Sequence, residues 1–364
     1  KALELSILII RILVSQERIS EVAYFYQTYK SLWIKKRKAV KRLLKSHTDS
    51  EVINDLLLDK FAVDKPDSPN RIICILGMHR SGTSCLTGSL QSAGFDSTNA
   101  LGWNYDNLKG NREEIDVITL NHLVQEHNKQ SWRKVNIAEK ITWTSQLAAQ
   151  RNDLVQSRLE DSHLWMFKDP RTVVTLPFWK ACGVPFVYTA SFRHPMKTAL
   201  SLYLRNQMPI EKGLQLWHDY NKIILRVHRN NPFPLTCFDS TRPSYRKQLD
   251  HVMDYLTDQL LDSPKLDRDA AYAFYEKQLE SKIYDVDFDS IANQHDIADV
   301  YKDSLAMYNE LCSLTPSLEL TPNIVDENSV ATLNRLFSIQ EKLDPDEIIN
   351  EYLSAIIWRV LFVC

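Results

Sequence analysis

Residues 77–84 read Gly-Met-His-Arg-Ser-Gly-Thr-Ser. Two glycines, a basic residue between them and two hydroxyls behind them are the parts of an anion cradle. Glycine lets the backbone close around oxygens, and the first amides of a following helix lack partners at the positive end of its dipole. The spacing of Gly77 and Gly82 fits the start of G-x-x-x-x-G-K-[ST]. The lysine that reaches the β and γ phosphates is missing, and Thr83 stands in its place. Arg80 adds a planar fork of donors suited to phosphate or sulfate. The loop is expected to hold one phosphate bearing a transferable group, not a triphosphate. A plain glycine turn is the bland alternative.

A second anion site is expected at residues 189–206. There Arg193 ends a predicted strand, Pro195 suits the first turn of a helix, and Ser201 lies about two turns further on. Arg193 and Ser201 would hold an oxygen cluster between strand end and helix face. Lys168, Asp169 and Arg171 follow another predicted strand, where a parallel sheet exposes its carboxyl ends and binds ligands. Asp169 and Arg171 also read as a simple brace for that turn. Glu113 and Glu114 open a predicted helix, where either acid suits the helix dipole.

Taken together, "MHRSGTS" and "RHPMKTALS" resemble the two motifs of the P-loop sulfotransferases, P-x-R-S-G-[TS]-[ST] and R-x-P-x-x-x-x-x-S. The likeness, over roughly residues 70–260, is to bacterial members that use 3′-phosphoadenosine 5′-phosphosulfate (PAPS) as co-substrate and no metal. It implies that Arg80, Ser81, Gly82, Thr83 and Ser84, with His79 beside them, hold the 5′-phosphosulfate. Arg193 and Ser201 would hold the 3′-phosphate. Met78 and His79 replace the family's usual loop proline, and its R-K-G element is absent; "SYRKQ" around Tyr245 is a weak substitute. Gly110, Glu113 and Asn121 match a bacterial pattern whose aromatics are here Asn111 and Arg112. Lys168 to Arg171 resembles the family's K-D-P-R element. In the cytosolic branch a catalytic histidine follows that lysine by two residues, where this chain has Pro170. Glu113 is therefore expected to be the base, kept ionised by Arg112 or Lys109, with Glu114, Asp169 or His79 behind it. Arg80 and Lys168 would stabilise the leaving group. The implied reaction makes a sulfate ester on an acceptor hydroxyl. A glycan acceptor is expected, because Trp103 and Tyr105 are suited to stacking on sugar rings. A P-loop small-molecule kinase is the rival enzyme; a lysine at position 83 would favour it. A non-catalytic nucleotide-binding partner protein is the rival from another class, and Glu113, Lys168, Arg193 and Ser201 together argue against it.

These residues need a scaffold. "RIICILG", "HLWMFK", "VPFVYTASF" and "FPLTCFD" read as buried strands, with helical patterns between them. That alternation predicts an α/β fold with a central parallel sheet, and the resemblance implies that it is the P-loop nucleotide-binding fold. Helices are expected after the loop to Gly94, at "EEIDVITLNHLVQEH" and near 143–160. The expected organisation is a helical extension at 1–63, a linker at 64–70, a sulfotransferase core at 71–262 and a helical region at 263–364. Residues 30–45 carry eight Lys or Arg and no acid, which leaves 36 basic against 46 acidic residues elsewhere. That balance argues against nucleic-acid binding by the body. The basic stretch reads as a contact for an anionic membrane or a partner, or as a solvated helix face. The apolar run at 3–14 is too short to span a bilayer and lacks the parts of a signal peptide. Six dispersed cysteines without C-x-x-C point to reduced thiols in the cytoplasm, and the ten histidines show no metal-ligand spacing.

Overall fold

The computed structural model describes residues 50–52, 69–95, 112–260, 264–275 and 287–323, apart from short gaps at 138–139, 161 and 295–296. Expectations for residues 1–49, for Trp103 and Tyr105, and for Lys109 to Asn111 lie outside the described residues.

The central sheet holds β2 (Arg71–Leu76), β4 (Leu164–Lys168), β5 (Phe186–Phe192) and β6 (Leu235–Cys237). All pairings are parallel and the spatial order is β4-β2-β5-β6. Every residue of β2 is buried, which is why its sequence is a continuous apolar run after Arg71. Period-two alternation splits that run between two cores. Ile72, Cys74 and Leu76 pack on one face with Trp165, Trp179, Trp217 and Tyr220. Ile73 and Ile75 pack on the other with Leu86, Leu90, Leu249 and Met253.

Helices therefore cover both faces. Helices α2 (Ile115–His127), α3 (Ser145–Leu159), α4 (Thr172–Lys180) and α6 (Ile210–Asn230) supply the first face. Helices α1 (Thr83–Ala93) and α7 (Arg242–Asp258) supply the second. Between β5 and α6 runs α5 (Pro195–Asn206). Of the helical region expected at 263–364, the described residues hold α8 (Arg268–Phe274), α9 (Phe288–Gln294) and α10 (Ala298–Ser313), while the expectation for 324–364 lies outside them. Helix α8 lies on α1, where Phe274 faces Gly88 so closely that a Cβ there would overlap its ring. Tyr308 and Leu311 of α10 join the first core. Among the described residues, 287–294, which include α9, and 297–298 and 322–323 group apart from the rest.

Two boundaries differ from expectation. The 1–63 extension, expected to be helical, contains the strand β1 (Ser50–Val52), antiparallel to β3 (Thr142–Thr144). The helix expected from residue 143 starts at Ser145, because Trp143 and Thr144 belong to that strand pair and the Thr144 hydroxyl caps the helix by accepting from Leu147 N at 3.2 Å. Cys74, Cys85, Cys182, Cys237 and Cys312 are free thiols. Among the described residues no helix is long and apolar enough to cross a membrane.

A polar knot joins α2, α4 and the end of β4. The buried Asn121 amide donates to Asp169 Oδ2 at 2.8 Å and Thr172 Oγ1 at 2.9 Å. Its carbonyl accepts from Thr175 Oγ1 at 2.5 Å and Trp179 Nε1 at 2.7 Å. Asn121→Ala would strand these groups in a dry interior. It should cost about 2–4 kcal/mol, read as a lower urea midpoint with an unchanged m-value.

Candidate functional site

The sheet order places the crevice at which open α/β sheets bind ligands. From β2 the chain crosses to β4 on one side and then to β5 on the other, so the strands diverge around the carboxyl end of β2. The loop Gly77–Gly82, the turn Lys168–Arg171 and Arg193 all leave the sheet at that end. Three of the sequence-predicted segments thus meet at one edge.

The loop owes its shape to its glycines. Gly82 has φ 85°, and a Cβ on it would overlap the Phe238 ring. A Cβ on Gly77 would overlap Thr83 Cγ2 and lie 2.6 Å from Ser191 O. Arg80 also takes a left-handed φ, 67°, a conformation that costs a non-glycine residue on the order of 1–2 kcal/mol. Ser191 Oγ on β5 donates to Ser81 O at 2.7 Å and ties the loop to the sheet. Gly82 then caps α1, whose first turn carries Thr83 and Ser84.

Lys168 and Glu113 meet at the loop. Lys168 Nζ lies 2.5 Å from Glu113 Oε1 and donates to Ser84 Oγ at 3.3 Å, with both charged side chains almost wholly buried. Arg171 Nη1 is 3.9 Å from the other Glu113 oxygen and 2.9 Å from Asp169 Oδ1. Asp169 Oδ1 also accepts from Arg171 N at 3.0 Å, so the brace read from the sequence is present. Of the two cations expected beside Glu113, Lys109 lies outside the described residues and Arg112 points elsewhere. Arg112 has φ 57°, donates to Gln91 and lies over the Phe274 ring 4.6 Å from its centroid. Among the described residues Lys168 and Arg171 bring cations to Glu113. The acid itself sits two residues ahead of α2, whose cap is Glu114. Glu114 faces away from Lys168, accepting from Trp165 Nε1 at 2.8 Å and Arg158 Nε at 3.0 Å. Burial raises its carboxyl above the ordinary range, against the lowering by those two donors.

His79 is buried with its ring 4.7 Å from that of Trp132 and 6.2 Å from that of Tyr220. Arg80 Nε donates to Ser201 Oγ at 2.8 Å, so the two predicted anion subsites touch. Tyr245 belongs to the core, stacked on Tyr275.

Beside Arg193 stands a carboxylate that sequence reading did not single out. Asp239 Oδ1 is 3.4 Å from Arg193 Nε and 3.9 Å from Lys197 Nζ, and its Oδ2 accepts from His194 N at 2.5 Å. The Arg193 guanidinium also lies over the Phe238 ring. Asp239 follows β6, which adjoins β5, so parallel pairing brings its turn to Arg193. A carboxylate just beyond a predicted strand was the available signal.

No protein-family model matches the chain, and no curated protein sequence does. Among solved structures, it is similar to the sulfotransferase domain from the Synechococcus PCC 7002 olefin synthase. That likeness has 16% identity and a TM-score of 0.39, over 68% of this chain and 96% of the other. Among the described residues no group of His, Cys, Asp and Glu is arranged to hold a metal ion.

His194 gives the site a pH signature. Burial pushes its imidazole down to about 4; Asp239 opposes this, while Lys197 and Arg193 add to it. Its ring packs on Tyr308 and Tyr301. The unfolded chain takes up this proton near 6.5 and the folded chain only near 4, so the stabilisation is complete above 6.5 and is lost as pH falls toward 4. The loss amounts to roughly 3 kcal/mol. Burial pushes His122 and His228 the same way. His194→Gln should therefore flatten, not abolish, the slope of unfolding free energy between pH 6.5 and 4, measured by urea titration.

Proposed function

We propose that this chain transfers a sulfuryl group from PAPS to an acceptor hydroxyl, with a glycan or glycoconjugate as the acceptor class. The observation that carries the reading is the meeting of Ser84, Lys168 and Glu113 beside a glycine loop without a Walker lysine. An anion cradle, a cation and a carboxylate converge where the sheet exposes its carboxyl ends.

In the proposed reaction the acceptor oxygen bonds to sulfur as the sulfur–oxygen bond to the 5′-phosphate breaks. The acceptor's proton passes to Glu113. In-line placement and stabilisation of the departing phosphate supply most of such a rate enhancement. The loop amides and Arg80 are assigned to the phosphate. Lys168 stands between Glu113 and Ser84. Its ammonium is drawn toward the sulfuryl and phosphate oxygens as charge builds there, which releases the carboxylate to take the proton. Asp169 is unsuited to the base role, because its oxygens are committed to Arg171 and Asn121. Arg193 and Ser201 are assigned to the 3′-phosphate. Residues 30–45 are assigned to association with an anionic membrane surface and not to chemistry.

Two measurements test the reading. Adenosine 3′,5′-bisphosphate should raise the melting temperature of the full chain, while ATP and ADP should not, because only a bound ligand stabilises by mass action. Equal stabilisation by ATP would favour a kinase. Glu113→Gln keeps the shape of the side chain but removes its capacity for a proton. It should slow single-turnover sulfate transfer by about 10²–10⁴-fold while calorimetric binding of the bisphosphate stays near normal. Near-normal transfer would remove Glu113 from the base role.

A further inference from the structure

An acid occupies the second subsite, at the start of α5, where the helix dipole favours any anion. Asp239 Oδ2 takes the amide of His194, which caps α5, and Oδ1 lies near both Arg193 and Lys197. Those are the donors a phosphate would use at that position: a helix-end amide and two cations. Lys197 and Ser201 are one turn apart on the same face of α5, and Arg80 closes the far end through Ser201. The carboxylate is nine-tenths buried and comes from a turn that must be there, because Phe238 beside it packs on Gly82.

We infer that Asp239 is a built-in counter-anion of the second subsite, which competes with a bound phosphate for Arg193, Lys197 and the α5 amide and so weakens retention of the spent nucleotide. This rests on the proposed assignment of a 3′-phosphate to Arg193 and Ser201. A carboxylate and a phosphate sharing the same cations repel each other, and neither is fully paired while both are present. Its consequence is kinetic: product that leaves readily lets the enzyme turn over. A carboxylate that merely braced Arg193 would do the reverse, since its loss would loosen the arginine and weaken binding. The sign of the effect therefore separates the two roles.

The experiment is calorimetric titration of the full chain with adenosine 3′,5′-bisphosphate and, separately, with adenosine 5′-monophosphate. Asp239→Asn keeps an oxygen for the His194 amide but removes the charge. It should bind the bisphosphate at least about fivefold more tightly, the factor that one unit charge at contact distance contributes even in water. The gain should grow at low salt, and the monophosphate should bind as in the parent. Asp239→Ser, which also retains an oxygen acceptor, should move affinity the same way and guards against a folding defect in the first variant. Unchanged or weaker bisphosphate binding in both variants would overturn the inference. Arg193→Ala distinguishes the underlying assignment: if it leaves bisphosphate affinity intact, the 3′-subsite itself is wrong and Asp239 falls with it. If Arg193→Ala weakens binding while the Asp239 variants do not strengthen it, only the counter-anion role fails.

Discussion

Lys168 ends β4 with its side chain 1% exposed, and a buried ammonium costs several kcal/mol unless an anion meets it. Glu113 supplies that anion from a segment far away in sequence. Arg171 is buried to the same degree and takes Asp169. Two cations and two carboxylates thus form one block at the carboxyl edge of the sheet, and removing a member takes a partner from another buried charge. The block ties the approach to α2, the end of β4 and the start of α4 to the first turn of α1 through Ser84. Asn121 completes it by filling the remaining acceptor of Asp169. The tryptophan-rich core behind β4 then fixes Asn121 through Trp179. Charge matching, not loop sequence, sets where Glu113 stands.

The glycine loop depends on a second constraint, close approach. Gly77 lies against β5 and Gly82 against the turn after β6, so the loop is held between three strands. Any side chain at either glycine would push the loop off the sheet. Arg80 is carried into a left-handed conformation by the same tightness, and its guanidinium turns toward Ser201 on α5. The strain at one residue therefore couples two segments that the sequence separates widely.

Much of this was legible in the sequence where physics is local. Four buried strands announced themselves as apolar runs, and Gly94 and Pro195 marked the end of α1 and the start of α5. Lys168 was legible as a residue at a strand's carboxyl end. Long-range pairing was not. The strand β1 has three residues and no periodicity, and it exists by pairing with β3. Arg112 is Glu113's neighbour in sequence, but its left-handed backbone accompanies a side chain directed at Gln91 and Phe274. Asp239 reads as an ordinary turn acid; only the β5–β6 pairing brings it to Arg193. His79 sits inside the loop sequence, but its ring packs against Trp132 and Tyr220, residues that enter from other elements.

The two ends of the crevice share one electrostatic plan and differ in what the carboxylate can do next. Each pairs a buried or nearly buried cation with an acid: Lys168 with Glu113, and Arg193 with Asp239. Pairing lets the cations stay inside the fold before any ligand arrives. A binding anion must then displace or share the resident carboxylate, so part of its binding energy goes into rearranging pairs that already exist. At Glu113 that rearrangement is useful chemistry in the proposed reaction, since a carboxylate released from its ammonium is free to accept a proton. Asp239 has no such outlet. It also holds the His194 amide, and it can only yield its cations or compete for them. Under the proposed reaction and the inferred role of Asp239, one plan thus prepares a proton acceptor at one end and limits grip at the other, which suits a donor and a spent product that differ at the 5′ end alone.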